Sequence, residues 1–94
     1  MTLDEFRSTL AHTDAPAELS PALRAMWEDG RDNWNAAHAM AQNIHDRTGA
    51  WIHAYLHRKE GDLGNAGYWY GKAGQPVAHD GLDEEWARIV SALL

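Results

Sequence analysis

Cysteine is absent from this chain, which excludes disulfides, thiolate metal sites and cysteine nucleophiles and fits a reducing compartment. Basic side chains are scarce. Eight Lys and Arg stand against fourteen Asp and Glu, a formal charge of −6, and Arg58-Lys59 is the sole adjacent basic pair. A phosphate backbone or an anionic membrane surface would meet a repelling field, so neither nucleic acid nor membrane is an expected partner. No apolar run is long enough to span a bilayer, and the acid-bearing start over residues 1–14 lacks a secretory leader pattern, so the expected location is the cytoplasm. No segment alternates with period two, and no sheet is expected.

What remains is a helical composition. Hydrophobic residues make up 45% and charged residues 23% of 94 positions, the balance of one small folded domain. Five Trp and three Tyr supply core volume, because each buried aromatic removes about 150–250 Å² from water. Helical spacing with Leu, Ile and Met marks the tryptophans as core residues before sugar-stacking ones. Six histidines are many for this length, and their full protonation would bring the formal charge to zero, so solubility should fall toward about pH 5.

Start and stop signals predict five to six helices. Thr2-Leu3-Asp4-Glu5 forms a capping box for a first helix ending near His12, and Ser20-Pro21 starts a second over 21–29. Asp32 reads as the cap of a third helix running to about Arg47, with Thr48-Gly49 as a tight connection into a fourth over 50–60. Gly61 and Asp62 separate that helix from a fifth over 63–73, which Gly74 and Pro76 end, and a last helix follows Asp83. The single domain then divides into an N-terminal helix and loop (1–19), a first hairpin (20–47), a second hairpin (48–74) and a loop with a C-terminal helix (75–94).

Laying Asp32-Asn33-Trp34-Asn35-Ala36 over Asp62-Leu63-Gly64-Asn65-Ala66 matches Asp, Asn and Ala at one fixed offset, each copy preceded by a helix ending in glycine. The second copy resembles the second helix of Sel-one-like repeats, of the tetratricopeptide type, through Asp62, Ala66, Trp69, Tyr70, Lys72 and Ala73 after Gly61. The likeness covers 50–74 best and 21–47 loosely, where Ala39-Met40 replaces the Trp-Tyr pair. It implies two stacked helical hairpins with capping terminal helices, acting as a protein-interaction scaffold without catalytic residues. The run His53–Asp62 is also similar to one in a family of small bacterial proteins of uncharacterised function.

Two features carry candidate sites. Gly64, Gly67, Gly71 and Gly74 share one face of the fifth helix, where interior glycines cost about 0.5–1 kcal/mol each relative to alanine. Close approach of a neighbouring helix would explain them. A groove for a peptide or ligand, flanked by Tyr68 and Tyr70, is the alternative. On the fourth helix His53, His57 and Glu60 fall at i, i+4 and i+7, with His45 expected opposite His53 across the turn and His38 further along, toward Glu60. Such a seam could hold zinc, nickel or iron or act as an acid/base pair, or its imidazoles could simply bridge carboxylates and backbone carbonyls.

The sequence thus favours a small non-enzymatic interaction module that needs no cofactor and binds a protein or peptide, or a second copy of itself, through Gly64, Gly67, Tyr68, Tyr70 and Gly71. A metal-binding or hydrolytic protein holding one divalent ion such as zinc through His45, His53, His57 and Glu60 is the alternative. No G-x-S-x-G elbow or phosphate loop is present.

Overall fold

Four of the helices begin where a side chain accepts a free N–H, and the computed structural model, which describes residues 1–94, places six in all. They are α1 (Leu3–Thr9), α2 (Pro21–Gly30), α3 (Trp34–Gln42), α4 (Arg47–Lys59), α5 (Leu63–Ala73) and α6 (Leu82–Leu93), with no strand. Thr2 and Glu5 close the expected capping box, and Ser20 caps α2 ahead of Pro21. None is long and apolar enough to cross a membrane.

α4 is the central element, packed against α2, α3, α5 and α6. Its Ile52, Tyr55 and Leu56 meet Met26 and Trp27 of α2 and Trp86, Ile89 and Val90 of α6, with Phe6 of α1 closing the cluster. Two indole N–H groups tie loosely spaced segments to this core: Trp27 donates to the Thr9 carbonyl at 3.3 Å, and Trp86 donates to the Met26 carbonyl at 3.1 Å. A smaller cluster of Ala54, Ala66 and Tyr70 joins α4 to α5.

Two carboxylates are enclosed and fully partnered. Glu85, 0% exposed, accepts from Arg58 at 2.9 Å and from the Tyr70 hydroxyl at 2.5 Å; Asp29, 2% exposed, accepts from the Tyr55 hydroxyl at 2.7 Å and from Lys59 at 2.9 Å. Glu85 thereby joins α6 to α4 and α5. Tyr70 is correspondingly buried and lies at the wall of a cavity with Arg58 and Ala78 rather than beside the open glycine face, a correction to its expected role as a partner-binding residue.

The turns after α2 and α4 close alike. The N–H of Asn33 bonds the Glu28 carbonyl and that of Asp62 bonds the His57 carbonyl, with Asp32 (φ +61°) and Gly61 (φ +89°) left-handed between them. Asp32 therefore matches Gly61 rather than Asp62, one residue away from the register read in the sequence. Asn33, not Asp32, stands at the start of α3, because the left-handed position falls on Asp32, a residue type that tolerates it.

The largest difference from expectation lies between α3 and α4. α3 stops at Gln42, and Asp46 caps α4 by accepting the Gly49 N–H at 2.9 Å, so the connection is 43–46 and Thr48-Gly49 lies inside α4. A Cβ on Gly49 would run into the Ile44 carbonyl and stand 2.8 Å from Ile44 Cβ. On α5, by contrast, a Cβ at Gly64, Gly67 or Gly71 would meet nothing within 4 Å, so no helix approaches that face.

Two measurements follow from these contacts. Gly67→Ala should raise stability by about 0.5–1 kcal/mol and Gly49→Ala should lower it by more than about 2 kcal/mol, both read by urea unfolding. Burial first, then the facing carboxylate, raises the Tyr55 and Tyr70 hydroxyls above the ordinary tyrosine range. The unfolded chain releases those protons near pH ~10 and the folded chain keeps them, so stability present below that pH should fall above it, by up to about 1.4 kcal/mol per pH unit for each tyrosine. Tyr70→Phe should make the decline shallower.

Candidate metal centre

A chain that turns back through residues 43–46 sets α3 antiparallel to α4, and the register brings His38 against His53 and His57. His38 Nε2 lies 2.9 Å from His53 Nε2, and one ring nitrogen from each of the three histidines lies within 4.8 Å of the other two. The rings of His53 and His57 stack one helical turn apart with centroids 4.8 Å apart, and His38 stands edge-on to both at 4.7 and 5.2 Å.

Two indoles hold this group from either side. Trp34, one turn before His38, stacks on it at 4.8 Å and 9°, while its Nε1 donates to the Leu56 carbonyl of α4 at 2.8 Å. Trp69 of α5 stacks on His53 at 4.1 Å and 21°. Trp69 is only half-buried, less enclosed than the core position expected of the tryptophans. The imidazoles are thus fixed by flat apolar surfaces, which restrict rotation and exclude water.

Polar partners act at the far side of two rings. His57 Nδ1 is 2.7 Å from Glu60 Oε1, which leaves its Nε2 unprotonated when the Nδ1 hydrogen is donated to the carboxylate. The Gln42 side chain lies 2.9 Å from His38 Nδ1. Burial, followed by the charges His38 and His57 would carry, lowers His53 to about 4, and burial also lowers His38. At neutral pH both rings are uncharged, and one hydrogen lies between their facing Nε2 atoms.

His45 does not join the cluster, a correction to the expected ligand set. It sits exposed in the connection with Nε2 on the Gln42 carbonyl at 3.1 Å, because α3 ends before reaching it. Glu60 is present but behind His57; with Asp62 it forms a second grouping that shares that histidine and is otherwise exposed. His38, expected near Glu60, takes the place assigned to His45. Trp34, His38 and Gln42 at i, i+4 and i+8 were the signal for this side of the site. Of the residues expected to bind a partner, Tyr68 is 57% exposed and Gly64, Gly67 and Gly71 face open space.

No protein family, curated protein or solved structure matches this chain. The chemistry of the site is therefore drawn from its geometry.

In metal-free protein the lowered His53 makes folding pH-dependent. The unfolded chain takes up this proton near pH ~6.5 and the folded chain only near pH 4, so stability is complete above the first value and is lost as pH falls toward the second. Urea unfolding with chelator present should show a loss on the order of 3 kcal/mol between pH 7 and pH 4, reduced in His53→Gln.

Proposed function

We propose that this protein binds one divalent transition-metal ion, such as zinc, through His38, His53 and His57. The observation that carries this is the convergence of three imidazole nitrogens from two helices within 4.8 Å. Zinc–nitrogen bonds of about 2.0–2.1 Å in a tetrahedral site place ligand nitrogens roughly 3.3 Å apart, so the His38–His53 pair at 2.9 Å need open only slightly. An all-imidazole ligand set suits zinc, copper and nickel and disfavours magnesium and calcium, which take oxygen.

The outer partners support the same reading. A ligating histidine usually gives its other ring N–H to a carboxylate or carbonyl, and Glu60 stands in that position behind His57. Gln42 can do the same for His38 by turning its amide so that oxygen faces Nδ1. Neutral imidazoles spare the ion a competition with protons near pH 7. Metal affinity should then fall as the medium is acidified.

Isothermal titration of tag-free, chelator-treated protein should give one zinc per chain. At a free zinc concentration of about 100 Kd the fold gains about 2.7 kcal/mol, a rise in melting temperature of roughly 10–20 °C for a domain of this size. His38→Ala and His57→Ala should abolish both effects and His45→Ala should leave them. Absence of stoichiometric zinc, or an equal loss in His45→Ala, would overturn the assignment.

A second reading, an interaction module for a protein, a peptide or a second copy of the chain, is favoured by one feature of α5. Its outer side carries Leu63, 68% exposed, beside Tyr68 and the uncovered glycines. The likeness to Sel-one-like repeats over 50–74 supports the same role. Concentration-dependent light scattering of the wild type and Leu63→Glu tests for a self-associating face.

A further inference from the structure

We infer that metal occupancy is linked to the docking of α5 through the stack of Trp69 on His53, so that a bound ion holds α5 and its exposed Tyr68 more firmly against α4. This rests on the metal assignment above and adds the element that responds to the ion. Only Ala66, Tyr70 and Ala73 among the eleven residues of α5 are buried, and along its backbone it lies against no helix but α4. Gly64, Gly67 and Gly71 weaken the helix itself, and nothing packs where their Cβ atoms would stand. Such an element opens at a lower free energy than the core.

Trp69 is the contact between α5 and the three histidines. Its indole stacks on the His53 imidazole with centroids 4.1 Å apart and planes 21° from parallel, and Tyr68 stands edge-on to that indole at 5.2 Å. Tyr68 is itself exposed. A metal-ligand ring, an indole and an outward phenol thus touch in series, from the seam between α3 and α4 to the outer side of α5.

The two forms of α5, docked and opened, differ in what they offer the ion. An ion on His53 draws electron density from the imidazole, and the electron-poor ring is attracted more strongly to the negative face of the indole. The docked indole also restricts the rotation of His53, so the ligand loses less freedom when the ion binds. Opening of α5 removes both effects. The ion therefore binds the docked form more tightly, and by linkage it favours docking by the same factor, about three- to tenfold for one cation–π contact.

Residue-resolved amide hydrogen exchange of the tag-free full chain, with zinc and with chelator, tests the linkage. In metal-free protein the amides of α5 should exchange faster than those of Ile52 and Leu56 in α4, the sign of local opening. Saturating zinc should slow the α5 amides by about three- to tenfold, the factor set by that contact. Trp69→Leu should abolish this slowing and weaken zinc by a similar factor while one zinc per chain still binds, and Trp69→Phe should retain part of both effects. Exchange of α5 no faster than that of the α4 core, α5 exchange indifferent to zinc, or equal slowing in Trp69→Leu would overturn the inference with the metal site intact. Failure of the wild type to bind one zinc per chain would remove the metal site itself, and the inference with it.

Discussion

The contact between the Ile44 carbonyl and the α-carbon of Gly49 sets the geometry on which the site depends. Only glycine lets the 43–46 connection fold so closely onto the first turn of α4. That closeness fixes where α3 stops and therefore which of its side chains face α4. With Asp46 capping α4 at Gly49 N–H, His38 meets His53 and His57, and Trp34 reaches the Leu56 carbonyl. Displacing the connection by one residue would turn each of these about 100° around its helix.

α4 then works on two sides at once. Ile52, Tyr55 and Leu56 build the main core, while His53 and His57, each one position after a core residue, face α3 and α5. Its C-terminal basic residues close the buried charges: Arg58 on Glu85 and Lys59 on Asp29. Removing one partner from such an enclosed pair leaves a charge without compensation, typically a loss of about 3–5 kcal/mol. The same helix thus carries the groups that bind α2 and α6 together and the imidazoles between α3 and α5.

Much of this was legible in the residues. The caps at Thr2, Ser20 and Asp62 and the span of α5 follow from local hydrogen-bond chemistry, which sequence displays directly. The α3–α4 boundary was not, because Ile44 and His45 continue the helical pattern up to Asp46, the cap of α4. That one shift of boundary exchanged His45 for His38. Glu85 and Tyr70 were unreadable for a different reason: an acid in a first helical turn and a tyrosine beside glycines give no local sign of pairing across elements. The glycines of α5 invited a packing explanation that their open surroundings do not support.

The position of the histidines also determines what a bound ion can do to the fold. They lie to one side of the α2–α4–α6 core, on helices that reach it through Ala37 and Ala41 of α3 and through Ile52 and Leu56 of α4. An ion there clips α3 to α4 without supplying the burial that drives folding, unlike small metallo-domains that collapse when the metal is removed. The metal-free chain already orders the rings by stacking them between Trp34 and Trp69. Binding therefore costs little rearrangement, and its free energy goes mainly into the ion's own bonds. On the proposed reading, the ion would be gained or lost while the domain stays folded.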